Sequence, residues 1–125
     1  MPLAKVFIKN ESGDQNNPVL FLDIYDSFFK RLKGLMFLKL ISQNEGALFI
    51  NKIESLVDSS IHMLFMNFDI AVFWVDKNNY VIDKVLAKKW HPFYAPKKPA
   101  KTIIETHYNN FDKIKIGDLL QIEVS

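Results

Sequence analysis

The runs of β-branched and aromatic residues in this chain are joined by connections too short for repeated helical crossovers. Parallel strands need a dozen or more residues between them, so a βαβ fold is disfavoured against a small barrel or highly curved sheet. The runs themselves are short: residues 5–9, 19–25, 46–50, 80–86, 102–106 and 119–124. Residues 60–76 hold one or two more, with a bend at Asn67-Phe68-Asp69. Turn residues punctuate them, as in residues 10–18 and at Ile116-Gly117-Asp118. Asp76-Lys77-Asn78-Asn79-Tyr80 reads as a hairpin turn, because asparagine tolerates positive φ better than other non-glycine residues. Pro92, Pro96 and Pro99 exclude regular structure from residues 91–99. The expected architecture is mainly β within the α+β class, a small closed or highly curved barrel-like sheet.

One helix stands out against this pattern. Ser27 is a good N-cap, and Phe28, Phe29, Leu32, Leu35 and Met36 follow at helical spacing, with Lys30, Arg31 and Lys33 opposite. The spacing predicts a helix over about residues 27–38. Gly34 costs it about 1 kcal/mol relative to alanine. A short helical turn is expected over residues 108–113.

At 125 residues the chain reads as one domain spanning residues 1–125, and 49% hydrophobic with 24% charged residues is ordinary globular composition. Eleven phenylalanines point to a core built around aromatic rings. There is no cysteine, which excludes disulfides, thiolate metal sites and cysteine nucleophiles. The N-terminus has no uninterrupted apolar core of signal-peptide length. The most apolar stretch, residues 61–75, is shorter than the roughly 18–20 residues of a membrane span and carries His62 and Asp69. The expected location is cytoplasmic, with no membrane span; a removed signal peptide is compatible with the same residues.

A set of ordered motifs covers most of the chain. It begins with Arg31, Gly34, Leu35 and Met36, then Gly46 with Leu48 and Phe49. It continues with Ser60, Ile61, His62, Met66, Ile70, Val72 and Asp76, then Trp90 and Pro92. Ile104, Glu105, Gly117 and Asp118 close it. Together these resemble the DUF192 family, also called UPF0127. Met63 stands where that family commonly has threonine, Asp69 where it has proline and Ala71 where it has aspartate, so no role of those residue types carries over. The resemblance implies a β-rich, barrel-like domain found in bacteria and archaea. It implies no established activity, substrate or catalytic residue.

Four constellations carry possible chemistry. His62 with Met63 and Met66 suits a soft metal, but strand alternation would turn Met63 away from His62 and Met66. Core methionines explain the pattern better, so no metal site and no cofactor is expected. His62 could act as a general base oriented by Asp58 or Asp69, with Ser60 as nucleophile on the same strand face. No nucleophile elbow or phosphate-binding glycine pattern accompanies them, and structural hydrogen bonds are the plainer account. Arg31 and Glu105 are expected to form a buried structural ion pair.

The fourth constellation is a local charge imbalance. Residues 84–101 hold six lysines and no acid; taking these six from the net +2 leaves −4 for the remainder. Within this stretch Lys88, Lys89, Trp90, Phe93, Tyr94, Lys97 and Lys98 combine cations with aromatic rings. That mixture suits a protein or small-ligand partner, ahead of nucleic acid. The alternative is a structural lid with solvated lysines. The favoured function is a non-catalytic binding or interaction module using residues 88–98. The rival is a small hydrolase-like enzyme centred on His62, Ser60 and Asp69.

Overall fold

The computed structural model describes residues 3–9, 17–25, 35 and 38–124. Seven strands make one sheet: β1 (Leu3–Lys9), β2 (Leu20–Tyr25), β3 (Glu45–Ser55), β4 (Ile70–Val75), β5 (Val81–Ala87), β6 (Ala100–His107) and β7 (Leu119–Val124). Their order is β5-β4-β6-β3-β2-β1-β7. Every pairing is antiparallel except β2 with β3, whose parallel register aligns Asp23 with Ala47 and Tyr25 with Phe49. The sheet curls into a half-barrel, and its two edge strands meet at one end. There Tyr80 bridges Leu119, the Val81 N–H donates to the Asp118 carbonyl (2.9 Å) and the Gly117 N–H to the Val81 carbonyl (2.8 Å). Gly117 takes φ 97° in this turn, a value that a side chain would strain. Lys84 reaches from β5 to the carbonyls of Phe111 (2.8 Å) and Ile114 (3.2 Å).

Two apolar clusters lie on opposite faces of the sheet. The inner one gathers Leu20, Leu22, Leu48, Phe73, Ile104 and Leu120. The outer one packs Phe49, Ile70, Val72, Trp74 and Ile103 under Met63 and Met66. β4 is therefore covered on both faces, and all six of its residues are buried. This is why its sequence is an unbroken apolar run rather than an alternation. Trp74 donates its indole N–H to the Ser59 carbonyl (2.6 Å), which ties the loop before β4 to the outer face.

Three expectations are corrected. The helix over residues 27–38 is not borne out: residues 26–34 and 36–37 lie outside the described residues, and among those described there is no α-helix. Among the described residues only a 3₁₀ turn at Tyr108–Asn110 is helical. Residues 60–69 are not a strand. Met63 and Met66 are both buried, a spacing of three set by turns, while Leu64 between them is exposed. The core is also less aromatic than eleven phenylalanines suggest: Phe49 and Phe73 are buried, but Phe21, Phe65 and Phe93 are exposed. Aliphatic side chains on alternating strand positions fill the inner layer instead.

Candidate interaction surface

Residues 88–98 lie against residues 61–69 along a short backbone ladder. The Ile61 and Tyr94 N–H groups donate to each other's carbonyls (2.8 and 2.9 Å). The Met63 N–H donates to the His91 carbonyl (2.9 Å) and the Trp90 N–H to the Met63 carbonyl (2.8 Å). Ile61, Met63, Met66 and Tyr94 pack against the outer cluster, so the loop pair is anchored from below. Proline at 92, 96 and 99 removes backbone donors, and side chains supply the remaining fixation.

Three side chains do this. Asp69 accepts from the Lys89 N–H (2.8 Å) and its other oxygen lies 3.6 Å from the Lys88 ammonium. Asp83, buried on β5, accepts from the N–H groups of Lys84 and Lys97, both at 2.9 Å. The Tyr94 hydroxyl accepts from the Lys88 N–H (3.1 Å), and its ring stacks on His91 with centroids 4.4 Å apart. Lys84 and Lys88 sit at and just past the free edge of β5, so these acceptors cap edge donors that would otherwise recruit another strand. Replacing Asp83 with alanine leaves two N–H groups without their acceptor. The expected loss is about 2 kcal/mol of unfolding free energy, measured by urea denaturation.

The tip of this pinned loop exposes rings. Trp90 is 53% exposed, Phe93 58% and Phe65 45%. Phe65 and Trp90 meet edge to face with centroids 5.2 Å apart. Both have left-handed backbones, at φ 63° and 67°. For bulky residues such a conformation costs on the order of 1–3 kcal/mol each, and it persists only where surrounding structure enforces it. Leu64 beside them is exposed too. Among the described residues no carboxylate lies within ion-pair distance of Lys89, Lys97 or Lys98. Lys101, by contrast, is tied to the Asn51 and Lys52 carbonyls.

The residues of the rival constellation are placed as follows. Ser60 donates its hydroxyl to the Leu56 carbonyl (3.2 Å). Asp69 is engaged by Lys88 and Lys89 as described. His62 is partly buried and its Nδ1 atom is buried without a hydrogen-bond partner. Among the described residues no hydrogen bond joins Ser60, His62 and Asp69. None of them forms a group of three or more histidines and carboxylates able to hold a metal. A cleft of about 340 Å³ opens beside the loop, lined by Phe68, Asp69, Leu86, Lys88, Lys89 and Tyr108.

Glu105 lies on the outer face of β6, level with Ala47 and Val72 on its two neighbours. It is buried, and that burial pushes its carboxyl up to about 7. Tyr25, stacked on Phe49 with centroids 5.1 Å apart, has its phenol raised by burial first, then by the charges of Asp23 and Glu105. Arg31, the expected partner of Glu105, lies outside the described residues.

The sequence brought out the lysines and rings of residues 88–98 but missed Phe65 and Leu64. Inside an apolar run they look like core, and a positive φ on phenylalanine has no signature in the sequence. Asp83 and the Tyr94 hydroxyl as edge caps were also missed. An acid in an edge strand of alternating pattern was their only signal.

Comparison with known proteins agrees with this fold. The DUF192 family model, described as "Uncharacterized ACR", matches residues 8–122. A UPF0127 protein of Thermococcus kodakarensis is 45% identical over 97 residues, covering 76% of this chain and 60% of that protein. One from Pyrococcus furiosus is 36% identical over 98 residues, covering 77% of this chain and 81% of that protein. The chain thus spans about three fifths of the Thermococcus kodakarensis protein's length. Two crystal structures share the fold. A Sinorhizobium meliloti protein has a TM-score of 0.80 at 15% identity, over 95% of this chain and 92% of that one. A Novosphingobium aromaticivorans protein of unknown function has 0.79 at 17%, over 94% and 83%. Among the described residues no helix is long and apolar enough to cross a membrane.

Proposed function

We propose that this chain, which belongs to the DUF192 family, is a non-catalytic docking module whose contact surface is residues 88–98 together with Phe65. The observation that carries this reading is the exposure of Trp90 and Phe93 on a loop pinned from below and at both ends. Strained backbone at Trp90 on the loop and at Phe65 on the facing segment accompanies the exposed rings, a conformation kept only where the surrounding structure enforces it. Of a protein and a small ligand, the exposed rings favour the protein, because large aromatic side chains are typical anchors of protein interfaces.

The test exploits the two tryptophans, one buried and one exposed. Wild-type emission is expected to contain an acrylamide-accessible component that disappears in Trp90→Phe, leaving the shielded signal of Trp74. Two equally shielded tryptophans in the wild type would sink the reading.

The orphaned Nδ1 of His62 keeps a second reading open, in which His62 is the base of a small hydrolytic site with Ser60 and Asp69. That reading expects His62→Ala to abolish hydrolysis of ester substrates at an unchanged melting temperature. The docking reading expects no hydrolysis from the wild type.

A further inference from the structure

We infer that the partner is an acidic protein segment bearing apolar side chains, docked on the face of the loop and not added as a strand to the sheet. This rests on the docking reading above and specifies its partner. Charge complementarity carries it first. Between Lys84 and Lys101 there is no acid. Two of those six lysines are tied to backbone carbonyls and Lys88 to Asp69, which leaves Lys89, Lys97 and Lys98 exposed without a carboxylate among the described residues. The Lys89 backbone is held at Asp69 and the Lys97 backbone at Asp83, and Trp90 and Phe93 lie between them in the chain. Lys97 is bound at Asp83 and Lys88 begins five residues further along the chain, roughly 16 Å at the rise of an extended strand. A partner on this loop meets exposed rings together with lysine cations, the ingredients of an apolar anchor with a polar rim.

The edge caps define the mode. A peptide adding to β5 would use its edge N–H groups, and those of Lys84 and Lys88 are already bonded to Asp83 and the Tyr94 hydroxyl, which disfavours strand addition relative to contact with the side chains of the loop. The fixed orientation of the rings separates a protein from a lipid surface. An anionic bilayer asks only for apolar tips and cations, in any orientation, whereas rings held at left-handed φ are preorganised for a shaped partner.

The test is a fluorescence-anisotropy titration with a labelled dodecapeptide repeating glutamate, glutamate, phenylalanine. It is run beside the same peptide with lysine for glutamate, an oligodeoxythymidine, and vesicles of phosphatidylcholine with phosphatidylglycerol. The acidic peptide is expected to bind and the lysine peptide not. Trp90→Ala is expected to weaken binding about tenfold or more, as for an aromatic anchor. Combined replacement of Lys89, Lys97 and Lys98 by alanine is expected to weaken it at low salt and flatten its salt dependence. Equal binding of the two peptides, or no effect of the lysine replacements, overturns the inference. Oligonucleotide or vesicle binding lost in Trp90→Ala overturns the acidic partner while leaving the loop as a binding surface. No binding of any probe overturns the partner class, with the docking reading then judged on the ring exposure and stability tests.

Discussion

Gly46→Ala is expected to unfold or severely destabilise the domain, by about 3 kcal/mol or more and on the order of 10 °C in melting temperature. A Cβ built on Gly46 would lie 2.0 Å from the Glu105 carbonyl oxygen and 3.0 Å from Leu22 Cδ2. The oxygen belongs to the β6 backbone, so no rotamer change relieves the clash; β3 and β6 must part. This pair forms the centre of the sheet, with Gly46 opposite Thr106 and Leu48 opposite Ile104. Gly117 is the informative control. A Cβ there meets nothing within 4 Å, yet φ is 97°. Gly117→Ala should therefore cost about 1 kcal/mol, through conformation alone. Thermal unfolding of both variants by circular dichroism separates the two mechanisms. Equal, small losses would mean that β3 and β6 do not approach as closely as described.

The second large effect is a fall in stability with rising pH, traced to Glu105. Burial holds its folded-state carboxyl at about 7, against 4.5 for an ordinary glutamate. Between those values the folded chain keeps a proton that the unfolded chain has released. The corresponding stability is fully present below about pH 4.5, is lost as pH rises to about 7, and changes no further above. A shift of this size corresponds to on the order of 3 kcal/mol. Glu105→Gln keeps the shape without the charge. It is expected to flatten the profile and to be more stable than wild type at pH 8, by chemical denaturation across pH 4–9. The expected ion pair with Arg31 predicts the opposite sign. A paired carboxylate would make stability rise through the acid range, and Glu105→Gln would then be the weaker protein at pH 8. One pH series distinguishes a buried neutral acid from a paired one.

The order of the strands in the sheet was not legible in the sequence, whereas the strand positions were, because short β-branched runs stand between turn residues. The hairpin at Asp76 is an example. Its carboxylate accepts from the N–H groups of Asn78 (2.9 Å) and Tyr80 (3.0 Å), and Asn79 takes φ 70°. The parallel pairing of β2 with β3 was not legible, since a strand's local pattern does not specify its partner's direction. Residues 60–69 misled for a physical reason. An apolar run can be buried by turns as well as by a strand, and only packing under the outer face decides which of its members point in. The surface itself was half visible: lysines without acids are countable, whereas the caps at Asp83 and Tyr94 that pin them exist only once the edge of β5 is known.

The central claim is that the rings of the loop are presented and not stored. The measurement that tests it most directly is the melting temperature of the double variant Trp90→Ala, Phe93→Ala. If the rings serve a partner, truncating them leaves the melting temperature within about 4 °C of wild type, as for exposed side chains. A fall of about 10 °C or more, the cost of truncating buried aromatic rings, would show that the loop is a lid on the half-barrel and contradict the account.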